Sequence, residues 1–239
     1  MGRENTQHRV LVTGASRGLG LEFTRQFLAR GDHVCALARR PEVSSGLKDL
    51  TRAFPDRLLP LPCDVADEGS VERARRAVEK VSDRLDLILN NAATFGAADS
   101  ALETLDLEEV RRVFEVNTLG PIRVSRTFLP LLRRGFNPRL VHVTSLMGSI
   151  ADNRSGGYWS YRLSKSALNM ACRNLAHELR EHGIPSVVLN PGWVRTEMGG
   201  PQAPLAPEEA VGALIRTIDT LTMEHSGQFF GRQGEPLPW

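Results

Sequence analysis

Short apolar runs alternate with longer amphipathic stretches along the chain of 239 residues. The apolar runs are rich in Val, Leu and Ile, which favours buried strands, and they lie at 10–12, 33–38, 58–63, 85–89, 139–145, 186–190 and 227–231. A helix is predicted directly after the first strand. Apolar residues with helical spacing predict further helices at 43–53, 71–81, 107–134, 158–182 and 208–221.

Such alternation is typical of right-handed parallel crossovers. We therefore expect an α/β fold with one doubly wound parallel sheet (a Rossmann fold) of about seven strands, helices on both faces, and a single domain spanning residues 1–239. Pro60 and Pro62 lie in the third predicted strand, and each removes a backbone N–H from a ladder. That strand is therefore expected at the sheet edge, its place in the strand order 3-2-1-4-5-6.

The first strand breaks into a turn with glycines at 14, 18 and 20, and a helix follows at once. Missing side chains let the backbone approach a diphosphate, and a helix N-terminus offers free N–H groups to an anion. The spacing of these glycines differs from the common G-x-G-x-x-G of dinucleotide folds. A turn that serves packing alone is therefore an alternative interpretation.

The end of the second predicted strand carries arginines and no acidic residue. Dinucleotide folds that bind NAD usually place an acid there for the ribose hydroxyls, whereas arginine suits the extra phosphate of NADP. Arg39 and Arg40 follow this strand, and Arg17 lies in the glycine-rich turn. Guanidinium groups form forked hydrogen bonds to phosphate oxygens, so the sequence favours NADP(H), with simple surface arginines as the alternative.

Three residues suited to proton transfer follow the fifth strand. Ser145 stands at its carboxyl end, where open α/β sheets bind ligands. Tyr161 and Lys165 are four residues apart and share one helix face. A nearby ammonium lowers the pKa of a phenol, although this pair alone occurs by chance in many helices. Asn117 interrupts an apolar helical stripe, either as a buried hydrogen-bonding residue or as part of a site.

Together these motifs resemble those of single-domain short-chain dehydrogenases/reductases. The resemblance covers nearly the whole chain in the family's order: Thr13 to Gly20, Asp64-Val65, Asn90-Asn91-Ala92, Asn117, Ser145, Tyr161 with Lys165, and Pro191-Gly192 with Thr196. The stretch 147–158 and the run 161–169 are similar to C-factor-like and sniffer-like carbonyl reductases. Two departures are Ala93, where the family usually has glycine, and the 16-residue spacing of Ser145 and Tyr161, a few residues more than usual.

The resemblance implies a role for each member of the catalytic set. Tyr161 would be the general acid/base and Ser145 would orient the substrate oxygen. Lys165 would lower the pKa of Tyr161 and bind the nicotinamide ribose, and Asn117 would hold a water in the proton relay. The implied NADP(H)-binding residues are Gly14, Ser16, Arg17, Gly18, Leu19, Gly20, Arg39, Asp64, Val65, Asn91, Ala92, Tyr161, Lys165, Pro191, Gly192, Val194 and Thr196.

The leading functional hypothesis is an NADPH-dependent reductase that converts an aldehyde or ketone to an alcohol by hydride transfer. One alternative is an NADP(H)-binding signalling or sensor protein of the C-factor-like type with little catalysis, because folds host many functions. Another is an NAD-linked alcohol dehydrogenase. Tyr158, Trp159 and Trp193 either line a substrate pocket or are packing and surface aromatics.

The composition limits the classes of molecule that the protein is expected to bind. With 30 basic and 28 acidic residues the net charge is +2, which gives no reason to expect nucleic acid. No apolar run is long enough to span a membrane, the histidines and cysteines show no metal-ligand spacing, and three distant cysteines fit a reducing compartment. We expect a cytoplasmic homodimer or homotetramer that acts on a small-molecule carbonyl or alcohol and needs no metal.

Overall fold

A computed structural model describes residues 7–97 and 101–239. Its strands pair in parallel in one sheet, in the order β3-β2-β1-β4-β5-β6-β7, so the predicted doubly wound α/β fold is confirmed. The third strand lies at the edge, where its prolines are tolerated. The strands are β1 Arg9–Thr13, β2 His33–Ala38, β3 Leu58–Pro62, β4 Leu87–Asn90, β5 Arg139–Val143, β6 Ser186–Leu189 and β7 Phe229–Phe230.

Helices cover both faces of the sheet. One apolar core joins the sheet to α1 and α7 through residues such as Phe23, Phe27 and Leu214. A second core lies under α3 and α5 and includes Val71 and Phe128. The α-helices are α1 Gly18–Ala29, α2 Ser45–Ala53, α3 Glu68–Glu79, α4 Leu107–Phe114, α5 Gly120–Leu132, α6 Trp159–Glu178 and α7 Pro207–Thr220.

The long helix predicted over 107–134 is interrupted. Between α4 and α5 lies a π-helical segment, Glu115–Leu119, in which the N–H of Gly120 donates to the carbonyl of Glu115. Pro121 follows as the second residue of α5 and has no N–H to donate to the carbonyl four residues earlier. A widened turn therefore lies directly before Pro121. Such π-helical turns are frequent at functional sites.

Some predicted boundaries shift by a few residues. The fifth strand ends at Val143, so Ser145 lies just beyond the sheet and caps a short 3₁₀ turn, Leu146–Gly148. The predicted helix 158–182 consists of α6 followed by a 3₁₀ turn, Arg180–His182. Among the helices of the described ranges, none has the length and apolar character needed to cross a membrane.

Candidate active site

The carboxyl ends of β1 and β4 are bound tightly together. The Thr13 hydroxyl accepts the N–H groups of Asn91 and Ala92, each at 3.0 Å. The Asn91 side-chain amide donates back to the Thr13 carbonyl at 2.9 Å. Strand order reverses beside β1, and open α/β sheets bind ligands at such a switch point. Thr13 and Asn91 therefore fix the floor of the expected ligand site.

The three glycines of the turn serve different needs. Gly14 has φ +69°, and a Cβ there would lie 2.8 Å from the Cα of Ala92. A Cβ on Gly20 would lie 2.2 Å from the carbonyl oxygen of Gly14. Packing therefore excludes a side chain at both positions. Gly18, with φ +54°, is less crowded, because its Cβ position lies 3.6 Å from the Thr196 side chain.

The N-terminus of α1 suits an anion. Arg17 occupies the N-cap position without a side-chain cap hydrogen bond, and the first turn of α1 contains no acidic residue. The first backbone N–H groups of a helix have no partner within the helix, and the dipole there favours negative charge. A diphosphate fits this donor set, and the close-packed glycines bring the backbone within its reach.

Ser145 and Tyr161 meet beyond the end of β5. The Ser145 side chain acts on the Tyr161 phenol, where it favours a lower pKa, and its hydroxyl accepts the N–H of Met147 at 3.1 Å. Lys165 lies one turn further along α6, with Nζ 5.6 Å from the centre of the Tyr161 ring. Its Nζ donates to the carbonyl of Val143 at 2.9 Å. The fold thus brings the three predicted residues into one cluster.

Burial sets the pKa values of both titratable groups in this cluster. It raises the pKa of Tyr161 to about 12, and Ser145 only partly opposes this effect. Burial also lowers the pKa of Lys165 to about 7. Burial and Ser145 account for the shift in the pKa of Tyr161, so the lowering of that pKa by Lys165 stays a prediction.

Asn117 ties the loop after β4 to α6 from inside the π-helical segment. It is fully buried. Its Oδ1 accepts the N–H of Thr94 and its Nδ2 donates to the Thr94 carbonyl, both at 2.8 Å. Nδ2 also donates to the Ser164 hydroxyl at 3.0 Å, one residue before Lys165. Asn117 is thus a buried hydrogen-bonding residue, and its partners adjoin the cluster of Ser145, Tyr161 and Lys165.

Phe95 is a site residue that sequence reasoning missed. Its ring centre lies 4.7 Å from that of Tyr161 and 5.4 Å from that of Tyr158. The only sequence signal for Phe95 is an aromatic residue just after the Asn-Asn-Ala-Ala run. No periodic pattern surrounds this position. Tyr158 therefore neighbours the cluster through Phe95. Trp193 instead bonds its own loop, with Nε1 donating to the Gly199 carbonyl at 2.7 Å.

The other predicted cofactor-binding residues lie along the same edge of the sheet or in the loop that covers it. The Ser16 carbonyl accepts the Ser44 hydroxyl at 2.7 Å, and Leu19 packs on the core below the turn. Arg39 is exposed just after β2, and Asp64 follows β3, with its Oδ1 accepting the N–H of Ala66 at 3.0 Å. Val65 is buried against Gly120, where a Cβ would lie 2.9 Å from its Cγ2.

The loop after β6 closes over the turn. Gly192 has φ +79° and follows Pro191, and its N–H donates to Oδ1 of Asn190 at 3.2 Å. Val194 is buried and forms a bridge with Leu205. Thr196, next to Gly18, accepts the N–H of Gly199 at 3.2 Å. Where residues are described, no group of three His, Cys, Asp or Glu side chains is arranged to hold a metal ion.

Comparison with known proteins decides the family, because the model of short chain dehydrogenases matches residues 8–204. The chain belongs to the short-chain dehydrogenase family. C-signal of Myxococcus xanthus is 48% identical over 155 residues, which are 65% of this chain and 93% of that protein. The predicted resemblance to C-factor-like and sniffer-like proteins is confirmed, and this short-chain dehydrogenase is an oxidoreductase.

Two solved structures resemble this short-chain dehydrogenase over 98% of its length. Carbonyl reductase Sniffer of D. melanogaster has a TM-score of 0.93 with 30% identity and is covered over 100% of its chain. The NADPH-bound carbonyl reductase from chicken fatty liver has a TM-score of 0.89 with 33% identity and is covered over 99%. The likeness thus includes the whole sheet and the surrounding helices.

Lys165→Met tests the buried ammonium of this short-chain dehydrogenase. Because the native pKa of about 7 lies below the ordinary 10.5, the unfolded chain binds more protons between these pH values. The free energy of unfolding should therefore rise with pH across this window in wild type relative to the variant, by up to about 1.4 kcal/mol per pH unit. Urea denaturation at several pH values measures this difference, with the exposed Lys48→Met as control. Parallel wild-type and Lys165→Met profiles would contradict it.

Proposed function

We propose that this protein is an NADPH-dependent reductase that converts an aldehyde or ketone to an alcohol. The observation that carries the proposal is the cluster of Ser145 and Tyr161 at the ligand-binding edge of the sheet, with Lys165 buried one turn further along α6. Membership of the short-chain dehydrogenase family and similarity to carbonyl reductases support the same conclusion.

The residues present fit a dinucleotide, and NADPH would supply the hydride for the carbonyl carbon. The first turn of α1 would hold the diphosphate, with Gly14 and Gly20 allowing close backbone approach. Arg17 and Arg39 would bind the additional phosphate of NADP(H), since no acidic residue stands at the end of β2. The complexes of carbonyl reductases with NADPH and with NADP support this choice over NAD.

Tyr161 acts as the general acid in this proposal. Its pKa, raised by burial to about 12, keeps the phenol protonated at neutral pH. A protonated phenol is a donor to the oxygen of a carbonyl under reduction, whereas alcohol oxidation needs a proton acceptor. Ser145, which neighbours Tyr161, would hold the same substrate oxygen. A protonated Tyr161 therefore suits the reduction of a carbonyl at neutral pH.

Lys165 and Asn117 support this proton transfer in different ways. Lys165, whose Nζ lies 5.6 Å from the centre of the Tyr161 ring, would in its charged form stabilise the phenolate that proton donation leaves. In this proposal it also binds the nicotinamide ribose. Asn117 holds Thr94, and with it the start of the loop that carries Phe95, in place. We also propose that Asn117 holds the water molecule of the proton relay.

A second candidate function is a cofactor-binding signalling protein with little catalysis. The similarity to C-signal of Myxococcus xanthus favours it. A sensor needs the glycine-rich turn but has no use for a buried lysine in a cluster with a serine and a tyrosine. A catalytic role for Lys165 explains the free-energy cost of burying this lysine, whereas a sensor function does not.

We further propose a cytoplasmic homodimer or homotetramer. Exposed apolar residues on the helices that follow β4 and β5 support this assembly, namely Leu107 at 59%, Leu163 at 46% and Met170 at 63% exposure. Three buried free thiols, at Cys35, Cys63 and Cys172, support a reducing compartment. The substrate is a small-molecule carbonyl compound, and no role for nucleic acid or membrane is proposed.

Tyr161→Phe tests the general acid. With a panel of aldehydes, ketones and quinones, wild type should oxidise NADPH faster than NADH. The variant should lose about 10²–10⁴-fold in kcat/KM, the range for general acid catalysis, and still bind NADP⁺. The chain has two tyrosines, so Tyr158→Phe is the matched control and should stay within a few fold of wild type. Full activity of Tyr161→Phe would overturn the mechanism, and NADPH binding without any turnover would favour the sensor.

Met170→Arg tests the assembly. Wild type should sediment with at least twice the mass of one chain, because association covers the apolar faces of α4 and α6. An arginine on α6 should shift the protein toward single chains. Ile150→Arg, at a residue that is also exposed but lies in a loop outside the helices, should leave the assembly unchanged. A wild type that sediments as a single chain at micromolar concentration contradicts the proposal.

A further inference from the structure

An ion pair connects the loop after β6 to the glycine-rich turn. Thr196 lies beside Gly18, the first residue of α1. The next residue of the loop, Glu197, places its Oε2 2.7 Å from Nη1 of Arg17. Gly18, Thr196 and Glu197 line one open groove along α1. The carboxylate therefore stands at the entrance to the anion-binding end of the helix.

The loop that carries Glu197 is held by its own hydrogen bonds. The N–H of Arg195 donates to the Leu205 carbonyl at 2.8 Å, and its Nη1 donates to the Ala203 carbonyl at 2.9 Å. The Thr196 hydroxyl accepts the N–H of Gly199. Because these bonds do not involve Arg17, the loop can keep its shape whether or not the ion pair forms. The backbone position of Glu197 is thus a fixed feature of the loop.

We propose that Glu197 is a specificity-determining residue for the cofactor, because its carboxylate competes with the additional phosphate of NADP(H) for the Arg17 guanidinium. This inference rests on the proposed function. The carboxylate and the phosphate carry like charge and need the same donors. Glu197 therefore weakens the binding of NADP(H) and reduces the factor by which the protein prefers NADP(H) to NAD(H).

Solvent exposure limits the size of this effect. The side chains of Arg17 and Glu197 are 67% and 72% exposed, so water and salt screen their attraction. We expect a change of about two- to fivefold in affinity, equal to about 0.4–1 kcal/mol at 1.4 kcal/mol per tenfold. The effect should shrink as the salt concentration rises.

The experiment is a titration of the full-length protein with NADP⁺ and with NAD⁺ by calorimetry at low salt. Glu197→Gln keeps the shape of the side chain and removes its charge. We expect it to bind NADP⁺ two- to fivefold more tightly and NAD⁺ as wild type does. The exposed Glu209→Gln on α7 is the matched control and should change neither affinity. In the background of Arg17→Met, Glu197→Gln should have no effect.

Two results would overturn the role of Glu197. Weaker NADP⁺ binding by Glu197→Gln would mean that the carboxylate orients Arg17 rather than competing for it. An equal change for both dinucleotides, or none, would mean that Glu197 does not sense the additional phosphate. Either result leaves the proposed function intact as long as wild type binds NADP⁺. Wild type that binds neither dinucleotide would overturn both proposals.

Discussion

The burial of one cation, Lys165, is the constraint on which the site depends. Only 2% of its surface is exposed, and a buried ammonium costs free energy unless it is hydrogen-bonded. Its Nζ reaches the Val143 carbonyl, which requires α6 to pack directly against the end of β5. Gly148 allows this approach, because a Cβ there would lie 2.8 Å from the Cβ of Lys165. The same packing buries Tyr161 and raises its pKa to about 12.

The π-helical segment is the second device that shapes the site. The segment adds a residue to one helical turn. Asn117 therefore faces a different direction from the one it would have in a regular helix over 107–134. In the observed position the Asn117 amide bonds both backbone groups of Thr94 and the Ser164 hydroxyl. The loop that carries Phe95 and the helix that carries Lys165 are thus held by one buried side chain.

The apolar runs predicted the sheet, and two prolines predicted the edge position of β3. The end of the fifth strand, the helical spacing of Tyr161 and Lys165, and the family resemblance predicted the cluster of these two residues with Ser145. The sequence did not predict the π-helical segment, since an apolar stripe changes little when one turn gains a residue. The Phe95 contact lies in a loop without periodicity. The pair of Arg17 and Glu197 joins residues far apart in the chain, which no local pattern connects.

Transfer of deuterium from NADPH labelled at C4 of the nicotinamide tests the central claim most directly. The substrate is the carbonyl compound that the protein reduces fastest, and the alcohol product is analysed by mass spectrometry and NMR. The account predicts one deuterium per product molecule at the former carbonyl carbon, supplied from one of the two C4 positions. Alcohol without deuterium when either position is labelled would contradict it, because hydride transfer from NADPH would then not be the reaction.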